Sequence, residues 1–361
     1  MERLKRPGYE EVVRLVDPAT GLRSVIAVHD TTLGPALGGT RFQPYADDDG
    51  ALADVLRLAK GMTYKSALAG LDVGGGKAVI VGDPRRDKSA ALLRAYGRFV
   101  DELAGRYVTA PDVGTDEDDM VVVREATRHV TGLPLGHGGF GDPSPVTAIG
   151  LRHGLRGVQR WLTGAADLAG LHVVVLGTGK VGAAFVRLLL AEGCRVTAAD
   201  LDRDRVAALG VPAVDPATAH TVECDVFSPC ALGGILDPAH IAALRCRAVV
   251  GAANNQLATP DSAERLADRG IVYAPDYVVN AGGIISVAEE LAAARRAGAG
   301  EPRRASLDRV TERVAAIEAT TMEVLDRSRV DGVTTAAAAD ALAEIRLARA
   351  RAGSPTGTVA G

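Results

Sequence analysis

His172-Val173-Val174-Val175-Leu176-Gly177-Thr178-Gly179-Lys180-Val181-Gly182 is an apolar run that opens into three spaced glycines and continues to Ala191 at helical periodicity. Strand, turn and helix are written into one stretch. The first glycine permits a tight turn, the second lets backbone approach a pyrophosphate, and the third lets helix pack closely on strand, with the helix N-terminus facing negative charge. Asp200 lies eighteen residues past the last glycine, after the next apolar run, Arg195 to Ala199. An acid there suits a ribose 2′-hydroxyl and repels a 2′-phosphate, so the stretch predicts a dinucleotide site favouring NAD over NADP. Arg203 and Arg205 nearby work against that preference.

Outward from this stretch, apolar runs and helical patterns alternate: Val226 to Ser228, Ala248 to Gly251 and Ile271 to Ala274 read as further strands. The rhythm predicts an α/β, doubly wound parallel sheet of the Rossmann type. Upstream the pattern differs. Glu11 to Val16, Ser24 to His29, Leu37 to Phe42, Ala78 to Val81 and Tyr107 to Ala110 read as strands of a small mixed sheet. Between them Asp48 to Ala69 has helical spacing, with Gly70 as its stop, and a helix is expected from Ser89 to Leu103. A glycine-rich break, Gly136 to Ser144, separates the two patterns, and Pro145 suits the first turn of a helix running to Trp161. The expected organisation is therefore a mixed α/β domain over 1–143, a Rossmann domain over 144–329, and C-terminal helices over 330–361.

Composition narrows the function. At 361 residues, with 47% hydrophobic and 24% charged, the chain reads as a globular protein of two domains. A net charge of -4 gives no case for nucleic acid or an anionic membrane, and no run of eighteen apolar residues exists to span one. Cys194, Cys224, Cys230 and Cys246 include no C-x-x-C pair, and no histidine is spaced to complete a usual zinc pattern, so they read as reduced and buried rather than as a metal site. Cytoplasm is the expected compartment, and no metal is expected.

Lysine is scarce, at six against thirty-five arginines, yet Lys60, Lys65 and Lys77 fall within eighteen residues. In a chain that uses arginine almost everywhere, a retained lysine suggests work for a compact ammonium that can lose its proton. Lys60 has no distinctive setting and reads as a solvated charge. Lys65 ends a helix in Met62-Thr63-Tyr64-Lys65, and Lys77 follows Gly74-Gly75-Gly76. That glycine run lacks the spacing of a phosphate-binding P-loop, because Leu71 stands where its first glycine belongs and Ala78 where Ser or Thr belongs. It reads instead as a place where backbone and substrate come close to Lys77. One lysine would bind an anionic substrate and the other, its pKa lowered by burial and a neighbouring ammonium, would move protons. Asp112, in Ala110-Pro111-Asp112-Val113-Gly114, is the complementary proton donor.

These residues carry a resemblance. Leu37-Gly38-Gly39-Thr40-Arg41, Ala59 to Lys65, Gly74 to Lys77, Ala110 to Thr115, Pro143 to Ala148 and Ala274 to Gly283 resemble, in order, the motifs of the Glu/Leu/Phe/Val dehydrogenases. Gly70 to Pro84 is most similar to the valine and leucine members. The resemblance implies NAD-dependent, reversible oxidative deamination of an L-2-amino acid to a 2-oxo acid and ammonium, in a homo-oligomer. It implies that Lys65 binds the substrate carboxylate with the backbone of Gly38 and Gly39, and that Lys77 is the base activating the water that attacks the iminium. Asp112 exchanges a proton with the nitrogen, Asn280 helps hold the substrate, and Leu37 and Ala110 wall its side chain, with Val310 a third candidate. Thr147, Gly177, Thr178, Gly179, Lys180, Val181, Gly182, Asp200, Arg205, Ala231 and Asn254 fall at family positions near NAD. The fold implied has C-terminal helices returning to the substrate domain. Gly136 to Gly141 departs from the leucine members, which carry serines there.

Overall fold

The computed structural model describes residues 1–296 and 305–353. The chain divides into two compact units, Met1–Asp142 with Ser286–Leu307 and Ala343–Gly361, and Pro143–Ile285 with Asp308–Leu342.

In the first unit, β1 (Glu2–Arg3), β2 (Glu11–Asp17), β3 (Leu22–Asp30), β4 (Ala36–Gln43), β5 (Gly74–Val81) and β6 (Tyr107–Pro111) form a sheet ordered β1-β2-β3-β5-β4-β6. β1, β2, β3 and β5 pair antiparallel, whereas β4 runs parallel to both β5 and β6. The sheet is mixed because β4 and β5 are joined by the helix Asp48–Leu68, a crossover that parallel neighbours require. That helix starts on Asp47, whose side chain accepts from the Gly50 N–H, and stops before Gly70 at φ +65°. Period-two alternation gives the sheet two faces. Val25, Ala27 and Val79 pack on one face against Ala51, Val55 and Ala59 of the 48–68 helix. Ile26, Ala78 and Ile80 pack on the other with Leu92, Leu93 and Tyr96 of the helix Ala90–Asp101.

The second unit is built on β7 (His172–Leu176), β8 (Arg195–Ala199), β9 (Val226–Pro229), β10 (Ala248–Val249) and β11 (Val272–Tyr273), all parallel, in the order β11-β10-β9-β7-β8. A single parallel bridge, Ala198 to Ala213, adds a rudimentary strand outside β8. With it the order becomes 3-2-1-4-5-6, the doubly wound dinucleotide-binding arrangement expected from the sequence. Its strands are apolar on both faces because both are covered. Val173 and Val175 pack with Leu151, Leu155, Phe185 and Val186, while Val174, Phe227 and Val249 pack with Ile241, Leu244 and Leu266.

The C-terminal helices do not return as one block at residue 330. The helix Leu307–Asp331 packs on the helix Ser144–Thr163, where a Cβ on Gly157 would come within 2.7 Å of the Glu318 carbonyl and Trp161 Nε1 donates to Asp326 at 3.1 Å. Later residues bind the first unit: Tyr64 donates to Glu344, Arg346 to the Leu68 carbonyl and Arg351 to Asp30. Glu290, in the helix Gly282–Arg296, also belongs there, accepting from Thr131 Oγ1 and from the N–H groups of Gly132 and Phe140 at 2.7–2.8 Å. Its carboxylate organises the glycine-rich stretch that follows Thr131. Gly138 and Gly141 hold φ of +83° and +70°, and a Cβ on Gly139 would lie 1.8 Å from the Leu133 carbonyl. Serine at those three positions does not fit this path of the chain.

Candidate active site

Alternation along β4, β5 and β6 decides which side chains meet. Leu37 pairs with Gly75, Arg41 with Val79, and Gly39 with Ala110. Leu37, Gly39, Arg41, Gly75, Lys77, Ala110 and, just past β6, Asp112 therefore belong to the sheet face covered by the 48–68 helix. The glycines make this face approachable. A Cβ on Gly75 would sit 2.0 Å from the Thr63 nitrogen, so its absence lets the helix lie directly on β5. A Cβ on Gly39 would sit 2.8 Å from Asp112 Cβ, so that gap is taken by the acid. Gly74 to Gly76 are thus strand residues in contact with protein, where the sequence suggested a loop opened for substrate; Lys77 sits within β5 rather than at its start.

Lys77 is 6% exposed, and its Nζ lies 2.7 Å from Asp112 Oδ2. Arg41 Nε approaches the same oxygen at 3.4 Å, while Arg41 Nη1 binds Asp54 at 3.0 Å. Burial by itself would raise the Asp112 pKa, but the charges of Lys77 and Arg41, helped by hydrogen bonds from Lys77 and the Val113 N–H, bring it down to about 2. A depressed carboxyl stabilises the fold above its unfolded value; that contribution, on the order of 2 kcal/mol, disappears as pH falls through about 2. The sequence cast Asp112 as a proton donor. The ion pair makes it a carboxylate at neutral pH, an acceptor that donates only after taking up a proton.

Lys65 is half-buried in the last turn of the 48–68 helix, two residues beyond the Thr63 that seats on Gly75. Leu37 is fully buried and Ala110 is 5% exposed, the latter beside Gly39. Neither Arg41 nor its partner Asp54 was singled out from sequence. The available signal was an arginine inside Ala36–Gln43, a strand otherwise of small, apolar and uncharged polar residues.

In the second unit the glycine loop takes its expected form. Gly177 has φ +98°, and a Cβ there would lie 2.7 Å from Ala231, which follows β9; loop and residue meet at the β7/β9 switch point. A Cβ on Gly182 would strike the Gly177 carbonyl at 1.9 Å, whereas Gly179 faces open space. The helix Lys180–Ala191 begins with no side-chain cap, leaving its first N–H groups for an anion. Val181 packs into the core, so only its backbone serves this end, while the Lys180 side chain is exposed. Asp200 accepts from Thr178 N at 2.6 Å, from Thr178 Oγ1 at 3.1 Å and from Asp202 N at 2.9 Å. Burial would raise its pKa; these donors and the Arg205 charge outweigh it and hold the carboxyl below its ordinary value. Arg205 itself is exposed and paired with Asp202 at 3.1 Å. Thr147 Oγ1 donates to the Pro143 carbonyl, and a Cβ on Gly283 would meet Thr147 at 3.1 Å.

Asn280 is 5% exposed and donates through Nδ2 to the Ala252 carbonyl and to Asn254 Oδ1, at 3.1 and 2.8 Å. Its Oδ1 is buried without a hydrogen-bond partner. An orphaned acceptor beside Asn254 calls for a ligand N–H. The open Gly179, the uncapped helix, the ionised Asp200 and this oxygen together fit a dinucleotide. Among the described residues no group of His, Cys, Asp and Glu is arranged to hold a metal, and the four cysteines are free, Cys194 buried and the other three only partly so. No described helix is long and apolar enough to cross a membrane.

Residues 10–129 match the dimerisation domain of the Glu/Leu/Phe/Val dehydrogenases, and residues 202–353 match the glutamate/leucine/phenylalanine/valine dehydrogenase domain. The chain belongs to the Glu/Leu/Phe/Val dehydrogenase family. It is 49% identical to a valine dehydrogenase of Streptomyces albus over 96% of this chain and 94% of that one. It is 45% identical to a leucine dehydrogenase of Bacillus cereus, over 96% and 93%. Among solved structures, L-tryptophan dehydrogenase from Nostoc punctiforme superposes with a TM-score of 0.81 at 36% identity, covering 96% of this chain and 98% of that one. The protein is accordingly an amino acid dehydrogenase, and the family supplies NAD(P) as the class of cofactor.

Proposed function

We propose that this dehydrogenase catalyses the reversible, NAD-dependent oxidative deamination of a branched-chain L-amino acid. Amino acid, water and NAD⁺ give 2-oxo acid, ammonium, NADH and a proton. The observation that carries the reading is the Lys77 to Asp112 pair, set on the sheet face that also holds Gly39, Gly75, Leu37, Ala110 and Arg41. Bound NAD would take up the hydride. Lys65, with the backbone of Gly38 and Gly39, anchors the substrate carboxylate. Lys77 takes a proton from the water that adds to the iminium carbon, and Asp112, beginning as a carboxylate, receives a proton from the nitrogen and returns it on release. Asn280 Oδ1 accepts from a donor on substrate or cofactor, and a carboxylate cannot pair with it.

Asp200 supports NAD over NADP, because a carboxylate kept ionised by the N–H groups of Thr178 and Asp202 repels a 2′-phosphate. Arg205, engaged by Asp202, does not offer a free counter-charge. Small apolar walls at Leu37 and Ala110 favour Val, Leu or Ile. They discriminate weakly, since one methylene is worth about 1–3 kcal/mol. We further propose that the protein works as a homo-oligomer in the cytoplasm, a reading supported by the dimerisation-domain match and the free cysteines. A panel of amino acids with NAD, followed as NADH absorbance, tests the substrate. Val, Leu and Ile should exceed Phe and Trp in kcat/KM by about tenfold or more. Turnover of Phe or Trp without that of Val, Leu and Ile would give the chain the substrate class of its tryptophan-dehydrogenase neighbour.

A further inference from the structure

Two cations converge on one oxygen of Asp112, and only one of them has a place in the chemistry above. Lys77 Nζ reaches Oδ2 from β5 at 2.7 Å, and Arg41 Nε reaches it from β4 at 3.4 Å. Arg41 is otherwise committed. Its Nη1 binds Asp54 of the 48–68 helix at 3.0 Å, Tyr45 donates to the same Asp54 oxygen at 2.9 Å, and Arg57 holds the other at 2.7 Å. The Arg41 side chain is 15% exposed and its planar fork spans both acids at once, a geometry a lysine cannot reproduce.

We propose that Arg41, braced by Asp54, is a positioning residue that fixes Asp112 and limits how strongly that carboxylate holds the proton of Lys77. The inference rests on the roles proposed for Lys77 and Asp112. A base facing a carboxylate gives up its proton reluctantly, because the attraction favours the charged form. Arg41 draws on the same oxygen and weakens that hold. Asp54 in turn offsets part of the Arg41 charge. The charges facing Asp112 are Lys77 and Arg41; those facing Arg41 are Asp112 and Asp54, with the Tyr45 hydroxyl beside them. Each removal therefore has a direction. Without Arg41 the base loses its proton at higher pH; without Asp54 it does so at lower pH.

The test is the pH dependence of kcat for oxidative deamination in Arg41→Gln, Arg41→Lys, Asp54→Asn and Asp112→Asn. Arg41→Gln should lower kcat by about 10–100-fold, a general acid–base effect, with KM for the amino acid within about threefold. It should also move the acid-side inflection up by about one pH unit, and Asp54→Asn should move it down. Arg41→Lys should restore the inflection, since charge remains, while kcat stays below the parent because the fork is lost. A merely structural role would lower activity in each variant without opposite shifts. Shifts of one sign, or none, in enzyme whose Asp112→Asn variant has lost turnover overturn the inference and leave the proposed function standing. Full turnover by Asp112→Asn removes the role of Asp112 and the inference with it. Should Arg41→Gln fail to fold, Asp54→Asn decides alone, because it leaves Arg41 in place.

Discussion

Replacing Lys77 with alanine is expected to lower kcat by at least about 10³-fold while leaving the affinity for NADH within about threefold. The two readouts draw on different units. The glycine loop, Asp200 and Asn280 belong to Pro143–Ile285, whereas Lys77 belongs to β5 of the first unit. Alanine removes the ammonium that lies 2.7 Å from Asp112 Oδ2 and can pass a proton, and leaves the carboxylate to Arg41 at 3.4 Å. Some stability goes with it, since one partner of a mostly buried pair is removed, and thermal unfolding should register the loss. Lys65→Ala should behave differently. If Lys65 anchors the substrate carboxylate, its loss removes one charge-assisted contact of about 1.5–3 kcal/mol, felt mainly as a 10–100-fold rise in KM. Steady-state kinetics with fluorescence titration of NADH separates the cases. Turnover surviving in Lys77→Ala would move the proton chemistry to another group, and an unchanged KM in Lys65→Ala would remove its anchoring role.

The second unit was legible from sequence because its signals are local. A strand, three glycines, a helix and an acid occur within twenty-nine residues, and each is dictated by backbone physics acting over a few positions. The first unit was legible only as a set of motifs. Nothing in Gly74-Gly75-Gly76-Lys77 announces that Gly75 is filled by Thr63, because that contact depends on how a crossover helix lies on its sheet. The glycines therefore read as an opening for substrate when they are packing sites. The part Arg41 plays is hidden in sequence for a related reason: its partners, Asp54 and Asp112, come from a helix and a loop, and no spacing in sequence links them. The C-terminal helices were legible as helices. Their division between units turns on tertiary contacts such as Glu290 with Gly132 and Trp161 with Asp326, which periodicity does not encode.

Gly75→Ala is expected to destabilise the protein by at least about 3 kcal/mol, although it adds only one carbon. The new Cβ would lie 2.0 Å from the Thr63 nitrogen, 2.1 Å from its Oγ1 and 2.5 Å from its Cα. These are atoms of the helix itself, so relief requires lifting the 48–68 helix from β5 rather than rotating a flexible side chain. Thr63 is fixed from the other side as well, through a 2.9 Å hydrogen bond to His29. Gly61 supplies the internal control. It lies exposed in the same helix, a Cβ there would meet nothing within 4 Å, and Gly61→Ala should be neutral or stabilising by up to about 1 kcal/mol through helix propensity. Urea denaturation of the two variants beside the parent provides the comparison. Equal midpoints for Gly75→Ala and the parent would mean that helix and strand are not in contact at Thr63. Activity should fall with stability in Gly75→Ala, because Lys65 follows Thr63 by two residues and Lys77 follows Gly75 by two. Lifting the helix moves the proposed carboxylate anchor away from the proposed base, and a gap of about 1 Å there is enough to cost about 10²-fold in rate.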